Sequence, residues 1–134
     1  MEHAPVKANR IDHIAIVVKD VAKAVETYEN NFGFKADASR GGEAPEMNAE
    51  RAFVAVGGID LEFIRPLGDQ GPLAEFAERV GEGTFAIAIE VENIDEAVRT
   101  LRENGLDAPE PRNGAVFLPG PMTHGVPMQL FQKP

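Results

Sequence analysis

The chain has 134 residues, 43% of them hydrophobic, 26% charged and 7% aromatic, and 13 Lys and Arg against 22 Asp and Glu leave a formal net charge of −9. That balance predicts a single acidic domain spanning 1–134 with a sizeable core, and the absence of cysteine excludes disulfides, thiolate zinc sites and thiol nucleophiles. Few aromatics and strong acidity argue against a nucleic-acid surface, no apolar window reaches the roughly 18 residues of a membrane span, and Met1-Glu2-His3-Ala4-Pro5 lacks a signal-peptide layout, so the chain is read as cytoplasmic with neither nucleic acid nor membrane as partner.

In chain order, the first signal is the apolar run Ile11-Asp12-His13-Ile14-Ala15-Ile16-Val17-Val18, a buried strand. Val21, Ala24, Val25, Tyr28 and Phe32 then recur at spacings of three and four, one face of a helix with Asp20 as N-cap and Gly33 at its end. Strands follow at Phe34 to Ala38, Ala52 to Val56 and Ile59 to Arg65, the last two joined by the hairpin signal Gly57-Gly58. Pro72 to Val80, with Leu73, Phe76, Ala77 and Val80 on one face, predicts a connecting helix that Gly81-Glu82-Gly83 breaks. A second strand over Thr84 to Val91 leads into a helix marked by Asn93, Ile94, Ala97, Val98 and Leu101, with Gly105 at its end. Strands at Val116 to Leu118 and Val126 to Gln132 close the chain, and the irregular stretches Ser39 to Asn48 and Ala108 to Gly114 are candidate loops over a site.

The two halves repeat each other. Ile11 to Val25 matches Thr84 to Val98 at a constant offset that sets His13 against Ala86, and Asp60 to Ile64 matches Pro127 to Phe131, setting Glu62 against Gln129. The expected fold is therefore α/β (α+β): two paired βαβββ modules, about 10–66 and about 83–133, joined by a linker helix at about 71–81, forming a curved sheet around a cleft. In that arrangement His13, Glu62 and Gln129 converge on the cleft, with Ala86 in the fourth equivalent place.

These residues carry a resemblance to the vicinal oxygen chelate superfamily, which includes glyoxalases, bleomycin-resistance proteins and extradiol dioxygenases. Within it, Ile11 to Val18, Pro45-Glu46-Met47, Gly81-Glu82-Gly83 and Thr123-His124-Gly125-Val126 are most similar to the methylmalonyl-CoA epimerase group. The resemblance implies a divalent metal held by His13, Glu62 and Gln129, with Ala86 standing where the epimerase pattern has a ligand. An imidazole, a carboxylate and an amide carbonyl can hold Mg²⁺, Mn²⁺, Co²⁺ or Zn²⁺ with waters. The other outcome is that the metal has been lost and these residues hydrogen-bond one another or a ligand.

The same resemblance makes Glu46 the catalytic base. Its carboxylate would take a proton from the carbon beside a carbonyl, while Gln129, an amide, cannot serve as the second proton-transfer group that two-sided epimerisation uses. Arg112, His124, Phe85 and Ala86 are candidate substrate contacts. Arg65 flanks a cleft opening, and Lys19, Arg40 and Arg51 add scattered positive charge that reads as solvated surface, with binding of an acyl-CoA as the alternative. His3 falls in an N-terminal arm without an expected role. The implied activity is an isomerase or epimerase acting on a small acyl, or acyl-CoA, substrate as a homodimer; the alternatives are a metal-free small-molecule-binding protein and a lyase or dehydratase using the same base.

Overall fold

The structure, a computed structural model, describes residues 3–134. Its elements run β1 (Ala8–Val17), α1 (Val21–Phe32), β2 (Gly42–Ala44), β3 (Ala49–Val56), β4 (Ile59–Pro66), α2 (Pro72–Arg79), β5 (Gly83–Val91), α3 (Ile94–Glu103), β6 (Ala115–Leu118) and β7 (Met128–Phe131). They divide into two compact units, His13–Phe85 and a second made of the stretch through Asp12 with Ala86–Pro134. β1 and β5 contribute residues to both.

The helices begin where the sequence places them. Asp20 accepts a hydrogen bond from the Lys23 backbone N–H at 3.0 Å, and Asn93 accepts one from Glu96 at 2.9 Å. Each thereby satisfies a donor that the first helical turn cannot. Gly33 closes α1 in the left-handed region at φ 74°, where a side chain would be strained.

In the unit His13–Phe85 the strand order is β2-β3-β4-β1. β1 pairs with β4 in parallel, Ala15 opposite Glu62, and β3 pairs with β4 antiparallel, Phe53 opposite Glu62. Side chains alternate between the faces. Val18, Val54 and Phe63 bury themselves under α1, where the Tyr28 ring meets Phe63 at 4.8 Å between centroids. Removing a ring as buried as Phe63 costs about 3–5 kcal/mol. On the opposite face, Val17, Ala49 and Ile64 pack beneath Leu73, Phe76 and Ala77 of α2. Farther along that same face stand His13, Arg51, Phe53 and Glu62.

The other unit repeats this plan. β5 pairs with β7 in parallel with Ala88 opposite Gln129, and β6 pairs with β7 antiparallel with Phe117 opposite Gln129. Its core is Val91, Ile94, Ala97, Val98, Ala108, Val116, Leu118 and Leu130. The matching registers confirm the equivalence of Glu62 and Gln129.

Three expectations need correction. The segment Phe34 to Ala38 forms only a bridge from Ala36 to Val54 rather than a strand, because Asp37 and the Arg40 that follows turn the chain away. The expected loop Ser39 to Asn48 contains β2, paired with the start of β3. The second module has two strands after its helix, one short of βαβββ: Pro109 and Pro111 supply no N–H to a ladder, and only a bridge from Arg112 to Ala115 forms there. Among the described residues no helix is long and apolar enough to cross a membrane.

Candidate functional site

Glu62 is the centre of the polar face in His13–Phe85. It lies on β4, flanked in the sheet by Ala15 and Phe53, and is only 3% exposed. A carboxylate so buried needs partners. Its Oε1 is 3.4 Å from His13 Nε2, and its Oε2 accepts from Arg51 Nε at 2.5 Å. Burial pushes the Glu62 carboxyl up, but the His13 hydrogen bond, the Arg51 charge and the Arg51 hydrogen bond together bring it below the ordinary value.

Phe53 organises the surrounding charge. The guanidinium carbon of Arg40 lies 4.3 Å from the ring centroid and that of Arg51 4.7 Å, while the His13 ring meets Phe53 edge-on at 6.0 Å. Both arginines are thus held by cation–π contact as well as by carboxylates. Arg40 bridges Asp37, at 2.9 Å, and Asp60, at 2.8 Å. Hydrogen bonds from the Ser39 hydroxyl and backbone, then from Arg40, lower the Asp37 pKa to about 2. Partial burial works against the Arg40 charge, but its bonds to Asp60 and Asp37 prevail and raise its pKa.

Sequence spacing left Arg40 and Arg51 among scattered surface charges. They instead form the polar cluster around Glu62. The signal was present in the alternation: Arg51 and Phe53 are two apart on one strand and therefore share a face, the face on which Glu62 sits.

Glu46 lies on a single 3-10 turn, Pro45–Met47, that joins β2 to β3, and it is exposed. It therefore shares a hairpin with Arg51. Phe85 packs edge-on against Phe76, 5.4 Å between centroids, and Arg65 pairs with Glu50 at 3.0 Å. In the second unit Ala86 is buried, and Arg112 and Gln129 line a shared depression of about 330 Å³ with Ala115 and Phe117. His124 is exposed in a left-handed turn at φ 58°, where Gly125 N–H bonds to Gly120. His3 is also exposed.

Comparison with known proteins gives this geometry its relatives. Residues 12–117 match the family model described as Glyoxalase/Bleomycin resistance protein/Dioxygenase superfamily. The chain belongs to that superfamily. It is 37% identical over 95 residues to the mitochondrial methylmalonyl-CoA epimerase of Homo sapiens, covering 70% of this chain and 53% of the human protein, so it spans about half of that relative's length. It is 33% identical over 129 residues to the ethylmalonyl-CoA/methylmalonyl-CoA epimerase of Cereibacter sphaeroides, covering 93% of this chain and 88% of the other. A solved structure of a Streptomyces coelicolor methylmalonyl-CoA epimerase variant in complex with 2-nitronate-propionyl-CoA shares the fold, with a TM-score of 0.80 at 24% identity and coverage of 95% of this chain and 99% of that one.

Membership in the glyoxalase superfamily makes a divalent metal the expected cofactor, so the donors must be tested against one. Both oxygens of Glu62 already have partners, one of them a permanently charged guanidinium that repels a cation on the same carboxylate. Ala86 offers no donor atom, and Gln129 offers a neutral amide. Among the described residues no group of three or more His, Asp and Glu converges. The donor chemistry of this superfamily member does not fit a tightly held divalent ion.

Proposed function

We propose that the chain is an isomerase of the acyl-CoA epimerase kind, which moves the proton on the carbon next to a thioester carbonyl. The near full-length likeness to the Cereibacter sphaeroides epimerase carries this reading. The chemistry sets two demands. A carbon acid beside a thioester is weak, so a positioned base must accept its proton. The charge that develops on the carbonyl oxygen must also meet preorganised donors.

Glu46 is the base in this reading. The C–H bond breaks, its proton goes to the Glu46 carboxylate, and its electron pair forms the enolate. Return of a proton to either face of the carbon completes the cycle. Gln129 stands where the second module repeats Glu62, and a neutral amide is neither a useful base nor a useful acid near pH 7. Glu46 is therefore the one proton-transfer carboxylate of this reading, and water exchanges the proton that Glu46 does not return.

The test is incubation with methylmalonyl-CoA and ethylmalonyl-CoA in D₂O, following deuterium at the substrate carbon and inversion of configuration separately. Wash-in of deuterium faster than inversion is expected, with a loss of about 100-fold or more in Glu46→Gln, the typical weight of a general base. No wash-in with either thioester sinks the reading. Tight binding of a thioester without any wash-in would instead favour a sequestering protein, the second reading that the neutral Gln129 supports.

A further inference from the structure

Arg51 has no counterpart in the repeat. It lies opposite Ile64 as Ala115 lies opposite Phe131, so the matching position in the second unit is an alanine. Glu62, the residue that Arg51 holds, is matched by uncharged Gln129. The ion pair is thus a feature of one half only, and the symmetry of the fold does not require it.

Its geometry is that of an oriented donor. The Glu62 side chain that anchors it is 4% exposed, while the Arg51 side chain is 24% exposed, so the guanidinium is fixed to a buried carboxylate while part of the arginine stays accessible. The Phe53 ring supports the guanidinium from beside it at 4.7 Å. A guanidinium carries five N–H donors, and Nε–H is the one that Glu62 accepts. The Nη1 and Nη2 groups remain to be used. Donors held in place before the reaction are what a developing oxyanion needs.

We propose that Arg51 is a catalytic residue of the acyl-CoA site, its Nη groups donating to the oxygen that becomes negative when the substrate carbon loses its proton. It supplies from the chain itself the positive charge that the superfamily resemblance assigns to a metal. This rests on the acyl-CoA reading above. As the proton passes to Glu46, the C–H electron pair forms the carbon–carbon double bond and the carbonyl π pair moves onto oxygen. Arg51 keeps all its protons, since a guanidinium does not deprotonate in proteins, and it contributes only hydrogen bonds and charge. The arginine and the base share the β2–β3 hairpin, which fixes the chain between them to a short turn and the start of one strand.

The test uses the full chain, freed of metal with EDTA and checked by elemental analysis. Two ligands are compared: 2-nitronate-propionyl-CoA, which carries a planar anion at the reacting carbon, and propionyl-CoA, which does not. Because Arg51→Ala strands a buried carboxylate, the variants are Arg51→Lys and the paired Arg51→Gln with Glu62→Gln, both verified as folded by circular dichroism. Metal-free wild type is expected to bind the nitronate and to exchange the substrate proton. The variants are expected to lose about 100-fold in nitronate affinity and in kcat, the weight of one oxyanion donor, with KM and propionyl-CoA affinity little changed. Unchanged nitronate affinity in the folded variants, with propionyl-CoA still bound, overturns the role of Arg51 alone. Nitronate binding that vanishes with EDTA and returns with Co²⁺ overturns it too. Wild type that binds neither ligand overturns the acyl-CoA reading and this inference with it.

Discussion

Glu62 and Gln129 hold the same place in two copies of one design. Each lies on a strand parallel to the first strand of its module, opposite an alanine on that strand and a phenylalanine on the antiparallel neighbour. The backbone treats them as equivalent, while their chemistry differs by one charge and by the ability to lose or gain a proton.

Restoring that ability is a direct experiment. Under the acyl-CoA reading proposed above, Gln129→Glu supplies at the repeat position the second proton-transfer group that the amide is not, and inversion is expected to rise relative to deuterium wash-in. We expect the ratio to rise by about tenfold or more, the lower end of what a positioned acid or base supplies. Chiral analysis of the product alongside its deuterium content measures it.

The Arg51–Glu62 pair predicts an asymmetric loss of stability. Arg51→Ala leaves the carboxylate of Glu62, 3% exposed, without its guanidinium, and destabilises by about 3 kcal/mol. Glu62→Gln leaves an arginine whose side chain is already partly exposed, and costs about 1–2 kcal/mol. Urea denaturation of both variants gives the comparison, and equal losses would contradict the burial difference.

Acid should release the segment before β2 at an unusually low pH. The folded Asp37 carboxyl sits at about 2, below its ordinary 3.8, because Ser39 and Arg40 bind its charged form. Its contribution is therefore complete above about pH 4 and is lost as pH falls through about 2. The Ser39 amide shift, followed by NMR from pH 5 downward, should move with that low midpoint, and Arg40→Ala should bring the midpoint up.

The two helix caps predict matched, independent effects. Asp20→Ala and Asn93→Ala each remove the acceptor of one first-turn N–H, costing about 1 kcal/mol apiece. They share no partner, so the double variant should lose the sum of the two. Thermal unfolding of the three variants tests it.

Much of this was readable from residue spacing. The helices over Val21–Phe32, Pro72–Arg79 and Ile94–Glu103 follow from apolar residues three and four apart, and the first and last of them also from their caps. The offset between halves located Glu62 and Gln129, and the observed registers agree. β2 was hidden because Gly42-Glu43-Ala44 carries no alternating apolar pattern; its hydrogen bonds to Ala49, Glu50 and Arg51 make the strand. The face of Arg51 follows from its alternation with Phe53, but its partner and those of Arg40 do not. Charge in a sequence reads as solvent-facing until the neighbours on its face are known, and the neighbours here come from β4 and from the turn at Asp37.

The second module omits a strand and a turn that the first contains between its helix and its last two strands. That omitted piece is the hairpin bearing Glu46 and leading into Arg51. The second copy thus lacks the element that carries the proposed base and leads into the arginine. Saturation mutagenesis should reveal the division of labour: in Ala86–Pro134 tolerance should follow burial, whereas in His13–Phe85 a set of strand residues should resist replacement even by side chains of equal volume.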